Sequence, residues 1–310
     1  MNRRIRILVC IAVLACLALL LCYVYYGSEP ACCTSAGATG SGDNVVPWME
    51  LPVTAMSEHG RRVVTHKAEM GGVVQRNYTI LYDDHLYAAL WVAYPLCESH
   101  VSTGREETWG YDPLVPMSSQ TNVKKGYGVS QPTENYPKNF YARGHQLPNA
   151  DRSAVPGMQA QTYYSTNMTP QIQNGFNGNI WAKLEEAVRG EIPQGDTLYV
   201  VTGAVFQKVG LDEQVKTIRN NNDSKILSVP NYYWKALLKV RRTGGSVTGA
   251  SAIGFWLPHA DLKGHSYADY AVSVDQIETW TGFDLFPNLP DPIESHAESK
   301  GSWTSFRSFR

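Results

Sequence analysis

The chain has 310 residues, of which 43% are hydrophobic and 18% are charged, with 26 glycines and 17 prolines. This composition suits one large globular domain or two small ones and argues against a disordered chain or a helical bundle, because Gly and Pro favour turns. Setting aside Arg3, Arg4 and Arg6, 24 basic residues face 28 acidic ones, a net charge of −4. Bulk charge therefore cannot hold a polyanion, and a phosphate partner needs a local site.

The amino terminus has the pattern of an export signal. The three arginines precede an uncharged apolar run over residues 7–26, and these twenty residues can cross a hydrocarbon core of ~30 Å. The arginines predict that this end stays in the cytoplasm and that the rest is exported. We predict a signal peptide or signal anchor over residues 1–26, a flexible stalk over 27–44 and a single domain over 45–310. The membrane is thus an expected partner of the first segment.

The cysteines divide between this apolar run and the rest of the chain. Cys32, Cys33 and Cys97 lie outside the run. In an oxidising compartment Cys97 can pair with either of the other two, which leaves one thiol over. No cysteine spacing typical of a metal site is present in the sequence.

Five apolar stretches predict strands. Each is bounded by Gly, Pro, Asn or Asp and is rich in β-branched or aromatic residues. The predicted strands cover residues 78–82, 86–96, 197–206, 232–240 and 247–257.

Two helices are predicted among these strands. In residues 178–189 apolar side chains recur at helical spacing and Gly190 follows as a stop. In residues 273–280 Ser273 and Gln276 have capping-box spacing, and Gly282 closes the helix. Isolated helices among strands, rather than strict alternation, predict an α+β fold.

Residues 141–152 (YARGHQLPNADR) are rich in polar residues, and Leu147 is their only large aliphatic residue. This pattern suits neither a buried strand nor an amphipathic helix and points to a loop that carries chemistry. On a helical wheel Asn177, Glu185 and Arg189 fall within about 120° of one another. A histidine base, an amide ligand for a hydrated cation, a carboxylate and arginines are the groups that a one-metal phosphodiesterase needs.

These residues resemble the DNA/RNA non-specific endonucleases, which have a ββα-metal core and include bacterial secreted nucleases and mitochondrial endonuclease G. The family's Asp-Arg-Gly-His signature corresponds to residues 142–145 (ARGH), and its Asn-x-x-Pro-Gln segment to residues 167–171 (NMTPQ). Its metal-binding helix corresponds to residues 177–185 (NGNIWAKLE). The order and the Asn-to-Glu spacing of eight residues agree, and the resemblance covers residues 78–291.

The resemblance implies a fold and an activity. The fold would have central antiparallel sheets with a ββα-metal catalytic core. The activity would be hydrolysis of phosphodiester bonds in DNA and RNA with little sequence preference. His145 would be the general base, Asn177 the sole protein ligand of a hydrated Mg²⁺, Mn²⁺ or other divalent cation, and Glu185 would hold a water of that cation.

The resemblance also implies residues that contact phosphate. Arg143 and Arg189 would bind the phosphate, and Asn167 would support the site. The sequence departs from the family at Ala142, where an Asp is usual. That carboxylate is neither base nor ligand in the family, so its loss concerns geometry and rate more than mechanism.

Other interpretations remain open from the sequence alone. Asn177 also suits a helix N-cap, and Glu185 with Arg189 suits a solvated i,i+4 pair. Asp151 and Arg152 suit a structural loop contact. The acidic net charge favours a smaller nucleotide-type phosphodiester as an alternative substrate, and Ala142 favours a catalytically silent surface module that binds nucleic acid.

Overall fold

An antiparallel sheet lies at the centre of the computed structural model, which describes residues 48–53, 60–127 and 140–309. The strands of these residues are β1 (Arg61–Met70), β2 (Val73–Asp83), β3 (Ala88–Leu96), β4 (Tyr141–His145), β5 (Met168–Ile172), β6 (Leu198–Val205), β7 (Thr217–Arg219), β8 (Ile226–Ser228), β9 (Tyr232–Thr243), β10 (Ser246–Pro258) and β11 (Ala271–Val272). Seven of them form the sheet in the order β1-β2-β3-β6-β9-β10-β11. β4 pairs with β5 and β7 with β8 in small separate sheets. The predicted α+β fold with central antiparallel sheets is confirmed.

All five predicted strands are present, as parts of β2, β3, β6, β9 and β10. Their apolar runs are continuous because both faces of the sheet are covered: in β3, Trp91 and Ala93 pack on one face while Val92 and Tyr94 pack on the other. β1 was not predicted. It is an edge strand of mixed charged and apolar residues, with β2 as its partner.

The helices of the described residues are short. They are α1 (Pro156–Gln161), α2 (Ala182–Arg189), α3 (Val274–Thr281), α4 (Asp291–Glu298) and α5 (Trp303–Ser308). The second predicted helix is confirmed as α3: the Ser273 Oγ accepts a hydrogen bond from the Gln276 N–H at 3.2 Å, and Gly282 ends the helix with a φ of 72°. α4 and α5 were not predicted.

The first predicted helix begins earlier than its pattern indicates. α2 follows wide, π-type turns over Gln173–Trp181, which are kinked at Asn174 and Gly175. Gly175 has a φ of 83°, and the Asp261 side chain occupies the place of a β-carbon there, so only glycine fits. The prediction from residue 178 onward therefore holds, but the helical path starts on the amino side of Asn177.

The sheet separates two cores. On one face α2 and the wide turns contribute Phe176, Ile180 and Leu184 to the core. On the other face α3 and α4 contribute Val274, Ile277 and Ala297. The residues around His145 and those of α3 and α4 therefore belong to opposite sides of the molecule.

The predicted amino-terminal segments, residues 1–26 and 27–44, lie outside the described residues. Within the described part of the chain, no helix has the length and apolar character needed to cross a membrane. Cys97 is buried and disulfide-bonded, as its predicted pairing requires, and the other five cysteines also lie outside the described residues.

Candidate active site

His145 is the last residue of β4, so the polar segment 141–152 begins as a strand and not as a loop. The prediction of a loop is therefore wrong for residues 141–145, which form a partly buried strand. β4 and β5 pair with Gly144 opposite Thr169 and His145 opposite Met168. The Gln171 side chain crosses the place where a β-carbon of residue 144 would stand, so the glycine allows close pairing.

Asn167 holds the chain immediately after His145. Its Oδ1 accepts the Leu147 N–H at 2.9 Å, and its Nδ2 donates to the carbonyls of Leu147 at 3.0 Å and Thr162 at 2.8 Å. The side chain is fully buried, and these bonds all go to the backbone. Asn167 therefore braces the loop that follows His145.

The His145 ring is half-buried between two aromatic rings. The Trp109 ring centroid lies 5.5 Å away and that of Tyr163 lies 5.4 Å away, nearly edge-on. The Nε2 atom has no hydrogen-bond partner among the described residues. Burial and the charges of Arg105 and Arg143 lower the pKa of His145 to about 3. The imidazole is thus neutral at physiological pH, and the Nε2 atom that has no partner is itself buried.

Two arginines flank His145. The Arg143 guanidinium stacks over Trp109 at 3.6 Å and donates to the carbonyls of Val123 at 3.3 Å and Lys124 at 3.0 Å. Arg105 is 55% exposed and pairs with Glu107 at 3.0 Å. Arg143 is therefore fixed by its neighbours, whereas Arg105 can move toward a ligand.

Arg105 and Trp109 were not identified from the sequence. They lie in a stretch, GREETWGYDP over residues 104–113, that has neither helical nor strand periodicity. Their closeness to His145 depends on tertiary contacts across more than thirty residues. Only the combination of Arg with Trp, typical of a surface that binds anions and planar groups, could have drawn attention to them.

Glu185 and Arg189 lie on α2, and each faces a partner from another element. The Arg189 Nη1 donates to the Asp151 Oδ1 at 2.9 Å, and the Tyr94 hydroxyl donates to the Asp151 Oδ2 at 2.9 Å. The interpretation of Glu185 and Arg189 as a solvated helical pair is therefore wrong, because buried Asp151 is the ion-pair partner of Arg189. Burial and the nearby Asp151 charge raise the pKa of Glu185.

Asp151 and Arg152 have different roles. Arg152 is fully buried, and its guanidinium donates to the Asn77 Oδ1 at 2.6 Å and to the Pro95 carbonyl at 2.9 Å. It is the structural contact expected from the sequence. Asp151 instead faces α2 through its ion pair with Arg189.

Lys235 is a further buried charge that the sequence analysis did not single out. Its Nζ lies 4.6 Å from the Trp181 ring and donates to the Thr202 hydroxyl at 3.2 Å and to the Gln146 carbonyl at 3.5 Å. Its charge lowers the pKa of Glu185 and so favours the ionised carboxylate. Because Gln146 follows His145, Lys235 connects the strand that carries the histidine with the helix that carries Glu185.

Asn177 lies inside the wide turns, and Ile172 is the residue that precedes the first turn, so the N-cap interpretation of Asn177 is wrong. Its Nδ2 donates to the Gln173 Oε1 at 3.2 Å. No hydrogen bond to its Oδ1 is present among the described residues, and the side chain is half-buried. An amide oxygen is thus available to a ligand. Both β4 and β5 pack against these turns.

The donors on this helix fit a hard divalent cation. The amide oxygen of Asn177 and the carboxylate of Glu185 are oxygen ligands, which Mg²⁺ and Mn²⁺ prefer, and Mg²⁺ usually keeps several waters. A cation nearby would also offset the burial that raises the pKa of Glu185.

Comparison with known proteins identifies the chemistry of this arrangement. The model of the DNA/RNA non-specific endonuclease family matches residues 62–292. The chain belongs to this family. It is therefore a hydrolase of the nuclease class, and metal dependence is typical of the family.

The endonuclease is similar to curated bacterial proteins and to a solved structure. It is 29% identical over 233 residues to a nuclease of Nostoc sp., covering 74% of this chain and 77% of the relative. It is 26% identical over 231 residues to a nuclease of Serratia marcescens, covering 74% and 79%. The structure of an EndoG/EndoGI complex has a TM-score of 0.57 at 18% identity and covers 74% of this chain and 89% of that one, which supports the fold.

Restoring the usual Asp at position 142 should stabilise this endonuclease. Ala142 is opposite Gln171 across β4 and β5, and Gln171 is buried with no hydrogen-bond partner for either amide atom among the described residues. In Ala142→Asp the new carboxylate can accept the Gln171 Nε2–H, so we expect a gain of about 1–2 kcal/mol in the free energy of unfolding. Denaturant unfolding measures this.

Ala142→Asn serves as the control, because it offers an acceptor without the charge. Nuclease activity should change by less than about tenfold in either variant, since residue 142 is neither the base nor a ligand. Lower stability in both variants would show that a hydrogen bond from Gln171 to residue 142 does not stabilise the protein.

The pKa of His145 should be measurable far below that of an ordinary histidine. We expect NMR titration of its ring to give a value of about 3. Arg105→Ala removes a positive charge that opposes protonation, so the pKa of His145 should rise. Arg307→Ala, which removes an exposed arginine 62% accessible on another part of the surface, should leave it unchanged. A His145 pKa near 6.5 would contradict the site's charge arrangement.

Proposed function

We propose that the chain is an endonuclease that cuts DNA and RNA with little sequence preference, with His145 taking the proton from the attacking water. The observation that carries this role is the state of the His145 ring: it is neutral, and its Nε2 has no partner among the described residues. A general base needs an unprotonated nitrogen that no protein group already bonds, so that it can accept the proton of the reacting water. Within the described part of the chain, no other histidine combines these two features with a pair of arginines that lower its pKa.

The two arginines beside His145 give the site its affinity for phosphate. A bound phosphate would place negative charge next to Arg143 and Arg105, which are among the causes of the low His145 pKa. That charge would raise the pKa of His145, so the histidine becomes a stronger base when substrate is present. Substrate binding and base strength are thereby coupled.

Asn177 is proposed as the protein ligand of a divalent cation, Mg²⁺ or Mn²⁺. Such a cation, when bound, neutralises charge on the phosphate and on the leaving oxygen. Glu185 would accept a hydrogen bond from a water of that cation, and the charge of Lys235 favours the ionised carboxylate against the burial that raises the pKa of Glu185. Arg189, held by Asp151 at 2.9 Å, supplies positive charge from the same helix.

A nicking assay tests the function. The purified full-length protein in detergent, with Mg²⁺, should convert closed circular plasmid to nicked and then to fragmented DNA, and it should degrade ribosomal RNA. Cleavage of a closed circle requires an internal cut. EDTA should stop both reactions.

The two alternative functions give different results in the same assay. A phosphodiesterase for small nucleotides would cleave dinucleotides and leave the plasmid closed. A silent module would bind the plasmid in a gel-shift experiment but would not cut it, whichever divalent cation is added. The acidic net charge of the chain favours neither strongly, because the local arginines supply the phosphate contacts.

We also propose that residues 1–26 anchor or export the protein, that residues 27–44 form a stalk, and that residues 45–310 are one domain outside the cytoplasm. The support is the three arginines before the uncharged apolar run. Intact cells that carry the full-length protein should degrade added nucleic acid, and external protease should abolish this activity. Activity that becomes accessible to protease only after every membrane is opened would mean the opposite orientation.

A further inference from the structure

A second group of oxygen ligands lies away from His145, between α3 and α4. Asp275 and Glu278 of α3 and Glu298 of α4 each offer a carboxylate oxygen, and these oxygens all lie within 4.8 Å of one another. Their neighbours Ile277 and Ala297 belong to the core on the face of the sheet opposite to α2. This group is therefore separate from the proposed nuclease centre.

Glu298 differs from an ordinary surface carboxylate because it is buried. Its exposed fraction is 5%, and its Oε1 has no hydrogen-bond partner among the described residues. No Lys or Arg of the described residues forms an ion pair with any of the three carboxylates. A buried carboxylate without a partner is costly, so something must neutralise this group.

The charges around Glu298 are of one sign. The charged groups that act on Glu298 are all carboxylates, those of Glu278, Glu294, Asp275 and Asp284. Ionised carboxylates at this density need a cation, and the alternative is that the carboxyl groups retain protons at neutral pH.

We propose that Asp275, Glu278 and Glu298 bind a Ca²⁺ ion. Three carboxylates are hard oxygen donors, and Ca²⁺ accepts 6–8 oxygens at ~2.4 Å in flexible geometry, so oxygens on opposite sides of the ion are up to about 4.8 Å apart. Asp275 is exposed, which leaves room for water to complete the coordination. Mg²⁺ is a poorer fit, because it demands a tighter octahedron of ~2.1 Å and gives up its waters reluctantly.

The ion would join α3 and α4, between which the described residues form no ion pair. The Glu278 Oε1 accepts the Leu285 N–H at 2.7 Å, which fixes one ligand in place. α4 packs against β10, and α5 follows it there. Ca²⁺ at this position would therefore stabilise the carboxyl-terminal helices against the sheet.

Calorimetry and thermal unfolding with Ca²⁺ alone test the proposal. We expect Ca²⁺ to bind the metal-stripped full-length protein without nucleic acid and to raise its unfolding temperature. Glu298→Gln should lower the Ca²⁺ affinity at least tenfold and remove most of the temperature shift. Glu294→Gln removes a nearby charge outside the group of three, so it should keep both effects.

Two further variants keep the test decisive. Asn177→Ala should retain the Ca²⁺ shift, which separates this site from the proposed nuclease centre. If Glu298→Gln fails to fold, the exposed Asp275→Asn takes its place and should also weaken Ca²⁺ binding. The proposal is overturned if wild type shows no Ca²⁺ shift, if Glu298→Gln shows the full shift, or if Mg²⁺ binds as tightly as Ca²⁺.

Discussion

Replacing His145 with alanine should lower the rate of plasmid cleavage by roughly 10³-fold at saturating Mg²⁺, within the range for removal of a general base. We expect the neutral ring, whose Nε2 has no partner among the described residues, to accept the proton. No other histidine of the described residues has two arginines among the causes of a lowered pKa. The loss should be in turnover. Binding of DNA should change little, because Arg143 and Arg105 remain.

The fold should survive this substitution. The His145 ring is half-buried and contacts Trp109 and Tyr163 edge-on or tilted, so its truncation should cost about 1–2 kcal/mol of unfolding free energy. His265→Ala, at an exposed position, is the matched control and should cleave at the wild-type rate. If His145→Ala retains activity within tenfold of wild type, His145 is not the base.

Much of the sheet could be predicted from the sequence because burial on both faces produces long apolar runs. β3 and β6 are recognisable for this reason. β1 has no such run, since it lies at the edge and alternates charged with apolar residues. β4 was missed because Arg143 and His145 are polar, and its pairing with β5 depends on Gly144.

In the candidate site, too, some residues could be predicted from the sequence and others could not. The order and spacing of the motifs singled out His145, Asn177 and Glu185 because they lie in short continuous segments. The partners of these residues come from distant segments, and no local pattern encodes them: Asp151 reaches Arg189 across 38 residues, and Arg105 reaches His145 through tertiary packing.

The position of Lys235 could be predicted from the sequence only in part. It stands in a predicted strand between Tyr233 and Leu237, two core residues that face the same side. That alternation places the Lys235 ammonium in the core next to α2, where a buried charge needs a carboxylate. The alternation of the strand thus indicates that Lys235 is buried, although the sequence could not identify Glu185 as its partner.

The second large effect concerns the cation. Asn177→Ala should abolish cleavage in Mg²⁺ while leaving nucleic-acid binding largely intact, because the amide oxygen is lost and the arginines at 143 and 189 remain. Its hydrogen bond to Gln173, 3.2 Å long, is the other interaction lost, so the stability cost should be about 1 kcal/mol or less. Asn179→Ala, an amide in the same turns whose Oδ1 accepts from Lys183, is the control and should stay active.

Asn177→Asp separates ligation from packing. An oxygen ligand survives in this variant, so cleavage should persist at a lower rate, since the added negative charge repels the substrate phosphate. EDTA should stop turnover of the wild type and leave the chain folded at room temperature, because an ion held by one amide and by water adds little to folding stability. Adding back Mg²⁺ should restore cleavage. Cleavage that persists in EDTA, or Asn177→Ala cutting at the wild-type rate, would exclude a one-metal mechanism centred on Asn177. If wild type binds DNA but does not cut it with any divalent cation, the binding module is favoured instead.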